Sequence, residues 1–215
     1  TFYFKLYLTH NDFHIILSDN GIGLFGHIKS SLKLDNHQIA AIELAKGRVT
    51  TDPENHSGDE LYTVIHLFDS VIIESSGKAL SYDNHYDNWL INNSKQQKGT
   101  RIHLKINPLS KRTCHHTFEK IFNGEAKVVR IPINLIKNKD NPLVNSRAQA
   151  KSILRNIDKF NLIEFDFNNI ELIGPAFADE LIRNTKKKNG IMEIQWINSN
   201  KMIDLMMSRA LNRFS

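Results

Sequence analysis

An aspartate and two glycines follow directly after an apolar strand near the start of the chain. The apolar run over residues 13–17 predicts this strand, and the sequence Asp19-Asn20-Gly21-Ile22-Gly23 follows it. A carboxylate at a strand end can accept a hydrogen bond from the exocyclic amine of a purine, and glycines spaced G-x-G let the backbone approach a ligand without a Cβ clash. Asp-Asn-Gly is also typical of a tight hairpin turn, so both interpretations stay open at this point.

The elements that must position this sequence are predicted from hydrophobic spacing. Asp35 is a candidate N-cap for a helix that ends at Gly47, and helical spacing predicts a second helix from Gly58 to Phe68. The polar residues between these helices indicate a loop over 48–57. Apolar, β-branched runs predict the strands, which cover residues 70–75, 79–82 and 101–106. A polar break then predicts a linker over 108–126.

The rest of the chain alternates strands and helices. Ser146 and Gln149 form a capping box for a helix to about residue 160, Pro175 opens another helix, and Asn200 caps the last one. The predicted strands cover residues 127–131, 162–167 and 191–196. The β-α-β-α-β-α order predicts a small, partly parallel sheet backed by helices.

Composition limits the class of protein. With 215 residues, 40% hydrophobic and 24% charged, the chain fits one large or two small globular domains. It has no stretch of roughly 18 apolar residues, so we expect no membrane span. A single cysteine excludes an internal disulfide and suits a cytoplasmic location. Residues 1–110 hold 10 Lys and Arg against 12 Asp and Glu, whereas residues 111–215 hold 18 against 11, which permits an anionic partner without requiring one.

Three motifs in the first half, taken in order, resemble the C-terminal part of a GHKL-type (histidine-kinase-like) ATP-binding domain. Residues 19–23 match the adenine box of that family, residues 50–58 match the lid that enters the second glycine box, and Gly99-Thr100 matches the closing threonine motif. The resemblance implies a partial Bergerat-type α/β sandwich over residues 1–107.

Residues 127–215 resemble a STAS-like domain of unknown function that often follows such an ATPase. The match rests on the sequences at 146–151, 165–167 and 173–181. The expected fold class is therefore α/β (α+β), with the sandwich followed by a small STAS-like mixed sheet with helices. A kinase-like ATPase joined to an antagonist-like domain implies a bacterial, cytoplasmic regulatory protein that switches contacts with a protein partner.

The GHKL resemblance assigns a role to each site residue. Asp19 would bond the adenine amino group, Gly21 and Gly23 would shape the pocket wall, and Thr100 would join the water network beside the base. Gly58 would offer backbone N–H groups to the phosphates at a helix N-terminus. Lys46 and Arg48 would either add positive charge near the phosphates or lie on the surface. ATP is the implied ligand, and no residue of this chain is assigned as catalytic or as a metal ligand.

Three departures weaken the catalytic reading. The family's helix with a Mg²⁺-binding asparagine and an acidic residue that activates water is expected upstream of Thr1. The second glycine box reads Gly58-Asp59-Glu60, where a carboxylate replaces a glycine and would repel phosphates. The sequence Gly174-Pro175-Ala176 has no hydroxyl where STAS antagonists carry a phosphorylatable serine. The alternative is thus a non-catalytic interaction module with a vestigial nucleotide site.

Two other readings carry less weight. Residues 36–82 also outline a winged-helix DNA-binding domain, but its recognition helix would begin with Asp59 and Glu60 and has no Lys or Arg, which argues against a nucleic-acid partner. Cys114, His115 and His116 are metal-ligand types, but three consecutive residues do not easily converge on one ion. The identity of the partner and the oligomeric state are not given by the sequence.

Overall fold

The computed structural model describes residues 1–52, 54, 57–122, 128–137, 142–158, 160–188 and 192–214. The chain divides into two compact units, Thr1–Asn123 and Gly124–Ser215. The sequence predicted domains over 1–107 and 127–215, with a linker over 108–126. Part of that linker is a helix that packs on the first unit, and residues 123–126 lie outside the described part of the chain.

The described part of the first unit contains a six-stranded antiparallel sheet in the order β1-β2-β6-β3-β4-β5. Its strands are β1 (Phe2–Leu8), β2 (Phe13–Asp19), β3 (Ser70–Ser75), β4 (Lys78–Asp83), β5 (Asn88–Asn93) and β6 (Thr100–Ile106). β3 alternates half-buried and buried residues, as expected for a strand with one covered face. β5 was not predicted from the sequence, and its Trp89 is buried.

The helices of the first unit are α1 (Leu24–Ser31), α2 (His37–Ala45), α3 (Asp59–Leu67) and α4 (Cys114–Phe122). α2 is buried at all but its first residue, which explains why its sequence has no polar face. Its N-cap is Asn36, whose side chain accepts a hydrogen bond from Ile39 N at 3.0 Å, and the prediction that Asp35 would be the cap was wrong.

α3 is fixed by a cluster of aromatic rings. The ring centroids of Tyr62 and His66 on α3 lie 4.2 Å apart, and the His66 ring lies 4.5 Å from Tyr82 on β4. Tyr82 in turn lies 4.6 Å from Trp89 on β5. A side chain on Gly47 would meet the Tyr62 ring at 3.0 Å, so the chain entering the predicted lid runs close against α3.

The second unit has a three-stranded parallel sheet in its described residues, in the order β7-β8-β9. Its elements are β7 (Val128–Pro132), a 3₁₀ turn (Ile133–Ile136), α5 (Arg147–Ile153), β8 (Leu162–Asp166), α6 (Pro175–Lys188), β9 (Glu193–Ile197) and α7 (Lys201–Arg213). The predicted sheet was only partly parallel, whereas every described pairing is parallel. α5 ends at Ile153, earlier than predicted.

The predicted helix starts of this unit are confirmed by their hydrogen bonds. Ser146 Oγ accepts from Gln149 N at 3.1 Å while Gln149 Oε1 accepts from Ser146 N at 2.9 Å, which is a complete capping box. Asn200 Oδ1 accepts from the first-turn N–H groups of α7 at 3.0 Å. The fold class is therefore mixed α/β, as predicted. Among the helices of the described residues, none has both the length and the apolar character needed to cross a membrane.

Candidate functional site

Asp19 lies at the C-terminal end of β2, and one of its two carboxylate oxygens already accepts a hydrogen bond. Its Oδ1 accepts a hydrogen bond from Gly21 N at 2.7 Å, which closes a local turn. Its Oδ2 accepts no hydrogen bond from the described part of the chain, and the residue is half-buried. One carboxylate oxygen therefore remains to accept a hydrogen bond from a ligand amine.

Gly99 brings the start of β6 against this turn. Its N–H donates to the carbonyl oxygen of Gly21 at 2.8 Å, and its φ of +70° is in the left-handed region. A Cβ on Gly99 would lie 1.9 Å from the carbonyl oxygen of Asp19, so a side chain cannot occupy this position without moving the backbone. The approach of two segments about 80 residues apart therefore depends on glycine here.

Gly23 is the N-cap of α1 and has a φ of +84°. The first N–H groups of α1 are bonded by side chains from other strands: Leu24 N donates to Thr100 Oγ1 at 2.8 Å, and Phe25 N donates to Ser75 Oγ at 3.3 Å. The structure thus brings Asp19, Gly21, Gly23 and Thr100 together. Ser75 completes the cluster and was not predicted, because its complete burial at the end of β3 is visible only in the structure.

Gly58 belongs to a different part of the unit. It precedes α3 with a φ of +81°, and a Cβ there would lie 2.6 Å from the carbonyl group of Val49. No hydrogen bond given by the described residues joins Gly58 to the Asp19 cluster. One contact links the predicted lid to α1, since His27 Nε2 lies 3.0 Å from Thr51 Oγ1. The lid residues Pro53, Asn55 and His56 lie outside the described residues.

The start of α3 carries negative charge, and one of its backbone N–H groups already has a side-chain partner. Asp59 and Glu60 occupy its first turn, and Ser57 Oγ accepts from Asp59 N at 3.2 Å. Arg48 Nε lies 3.5 Å from Asp59 Oδ1. A helix N-terminus normally attracts anions, but these two carboxylates oppose that attraction.

Lys46, the other cation offered for the phosphates, is buried and also paired with a carboxylate. Its Nζ lies 2.5 Å from Glu43 Oε1, with both side chains at most 3% exposed. Lys46 is thus not a surface residue, and neither it nor Arg48 brings an uncompensated positive charge.

The opposite face of the sheet carries a pair of histidines. His14 Nδ1 on β2 and His103 Nε2 on β6 lie 2.9 Å apart, and Tyr7 stacks on His14 with ring centroids 4.7 Å apart. At this distance one ring nitrogen can donate a hydrogen bond to the other, in a direction set by the tautomers of the two rings. Burial, followed by the charge of His14, lowers the pKa of His103.

In the described residues, no group of three or more His, Cys, Asp or Glu side chains is arranged to hold a metal ion.

Part of the second unit matches a known family. Residues 149–204 match the family model of a STAS-like domain of unknown function (DUF4325). This segment of the second unit is STAS-like. It runs from α5 to the first turn of α7 and includes β8, α6 and β9. No curated protein matches the chain.

Proposed function

We propose that the chain is an adenine-nucleotide-binding regulatory protein, with ATP as its ligand in a GHKL-type first unit. The observation that carries this proposal is the Asp19 cluster, in which hydrogen bonds of 2.7–3.3 Å join residues 19–25, Ser75 and Gly99-Thr100. The spare Oδ2 of Asp19 would accept a hydrogen bond from the adenine amine. Thr100 Oγ1 accepts from Leu24 N, which leaves its own proton for a water beside the base.

The residues near the start of α3, where the triphosphate would lie, would contact it only weakly. Ser57 Oγ accepts a hydrogen bond from Asp59 N, Asp59 and Glu60 add negative charge, and Arg48 and Lys46 are paired with carboxylates. The base would therefore supply most of the binding energy. The resemblance also implies a Mg²⁺ ion, and we assign no residue of this chain as its ligand. We assign no catalytic residue, and ATPase or protein kinase activity is only what the GHKL resemblance implies.

In this proposal, ATP changes how the protein contacts a protein partner in the bacterial cytoplasm. The STAS-like unit would supply the contact surface. Nucleic acid fits less well as a partner, because α3 begins with two carboxylates and the β3–β4 hairpin lies inside the sheet, between β6 and β5, rather than projecting as a wing.

A second candidate is a non-catalytic interaction module whose nucleotide site is vestigial. The observation that favours it is the start of α3, where one N–H group already bonds Ser57 Oγ and two carboxylates would repel phosphates. Nucleotide affinity separates the two candidates, because only the first requires ATP to bind at physiological concentrations.

Calorimetry with ATP, ADP and GTP, with and without Mg²⁺, tests the proposal. Asp19→Asn should weaken ATP binding by roughly tenfold or more, because a hydrogen bond to a charged acceptor is lost. Asp12→Asn is the matched control, since Asp12 precedes the opposite end of β2 and its change in charge is the same. Absence of ATP binding at millimolar concentration, or equal weakening by both variants, would overturn the proposal in favour of the interaction module.

A further inference from the structure

A buried carboxylate in the second unit holds together side chains from two helices. Glu180 on α6 is 1% exposed and lies within hydrogen-bonding distance of two residues on its own helix. Asn184 Nδ2 donates to Glu180 Oε1 at 2.6 Å, and Arg183 donates to Glu180 Oε2. A carboxylate removed from water needs such partners to remain charged.

Two further cations reach the same carboxylate from α5, which packs against α6. Arg147 Nε lies 3.9 Å from Glu180 Oε2, and Lys151 Nζ lies 3.8 Å from Glu180 Oε1. These distances allow attraction but exceed those of a hydrogen bond. Within the part of the chain that the structure describes, Arg147 and Lys151 have no other side-chain partner. Their side chains are 65% and 63% exposed, so their donors face water.

The charges of this cluster do not balance. Arg147, Lys151 and Arg183 carry three positive charges, and Glu180 supplies one negative charge. Burial alone would raise the pKa of Glu180, but hydrogen bonds from Asn184 and Arg183 and the charges of Arg183 and Lys151 outweigh it and lower the pKa. Glu180 is therefore ionised at neutral pH, and an excess of two positive charges remains at the surface.

We propose that Arg147, Lys151 and Arg183 form a binding site for a phosphoryl group. A phosphoryl group carries about −1.5 to −2 charges at neutral pH, which matches the excess of the cluster. Arg donors form paired hydrogen bonds to phosphate oxygens, and Lys adds a compact positive charge. Glu180 is a positioning residue, because it draws the cations of α5 and α6 together before a ligand arrives. The phosphoryl group belongs either to a phosphorylated side chain of a protein partner or to free phosphate.

NMR titration of the whole chain tests this site with probes that carry no adenine. The probes are a short alanine-glycine peptide with one phosphoserine, the same peptide with serine, and inorganic phosphate. The phosphopeptide should shift the amide signals of α5 and α6, and the serine peptide should not. Tighter binding of the phosphopeptide than of inorganic phosphate identifies a protein-borne group, whereas equal binding identifies the free ion.

A matched pair of double variants decides whether the cluster is responsible. R147Q/K151Q should weaken phosphopeptide binding by roughly tenfold or more, because two charged donors are lost. K201Q/R209Q removes one Lys and one Arg from exposed positions on α7 and should retain binding. Both pairs lie on exposed helix surfaces, and the dispersion of the amide signals from the second unit checks that the unit is folded. Equal weakening by the two variants, or no binding of any phosphorylated probe at millimolar concentration, would overturn the proposal.

Discussion

Gly23 and Gly21 belong to the same short motif but should respond very differently to replacement by alanine. Gly23 has a φ of +84°, and a Cβ there would lie 2.6 Å from Ser75 Oγ and 2.8 Å from the carbonyl oxygen of Gly99. Gly21 has no such φ, and its Cβ would meet the movable Asp19 Oδ1 at 3.0 Å. We predict that Gly23→Ala destabilises the first unit and that Gly21→Ala does not.

The size of the effect follows from three contributions. Gly23 combines its positive φ with an extended ψ of 141°, a conformation that costs a residue with a Cβ about 1–3 kcal/mol. Moving Ser75 away from the new methyl group weakens its bond to Phe25 N, which costs about 1 kcal/mol. The alanine also restricts the unfolded chain, which offsets roughly 0.4–1 kcal/mol. The net loss for Gly23→Ala is therefore about 2 kcal/mol. For Gly21→Ala we expect a change of less than about 1 kcal/mol.

Tryptophan fluorescence during urea unfolding measures this difference. The chain has two tryptophans, with buried Trp89 in the first unit and Trp196 in the second. In a Trp196→Phe background, the signal reports the first unit alone. The midpoint should fall for Gly23→Ala with an unchanged slope. Equal stability of the two alanine variants would refute the inferred packing of the Asp19 cluster.

Two further predictions concern charge. The folded state favours neutral His103, because burial and then the charges of His14, Arg101 and Lys105 lower its pKa, while Glu74 opposes them. The unfolded state therefore binds more protons, and the first unit should lose stability as the pH falls through about 6.5. Urea midpoints measured at several pH values should show a smaller loss of stability for His103→Gln than for the unchanged chain. Identical pH profiles of the two proteins would contradict this prediction. Glu60→Gln should tighten ATP binding by roughly twofold to fivefold in calorimetry without changing adenosine binding, because a charge near a helix N-terminus contributes about 0.3–1 kcal/mol. Glu119→Gln on α4 is the control. An equal gain in ATP affinity for this control would mean a general effect of charge and would contradict the prediction.

Local signals were sufficient to predict several elements. The capping box at Ser146, the N-cap at Asn200 and the first-position Pro175 involve residues within one helical turn of each other, so the sequence contains the whole interaction. Asp35 was predicted in place of Asn36 because adjacent residues of similar capping ability cannot be separated by type alone.

Non-local contacts explain what the sequence could not predict. α1 was missed because its N-terminal N–H groups are bonded by Ser75 and Thr100, which lie 50 and 76 residues away from their partners. The contact of Gly99 with Asp19 depends on how β2 and β6 pair in the sheet. The family resemblance proposed site residues but not the groups that contact them, so Ser75 and the pairing of Lys46 with Glu43 appear only in the structure.

Titration of the ¹⁵N-labelled chain with ATP tests the central proposal most directly, because it reports both whether ATP binds and where. The proposal predicts that the largest amide shifts fall on Gly21, Gly23, Gly99 and Thr100, and that Asp19→Asn abolishes them at the same ATP concentrations. Smaller shifts at Gly58 would fit weak phosphate contacts. Unchanged spectra at millimolar ATP, or shifts confined to the second unit, would contradict an adenine site at the end of β2.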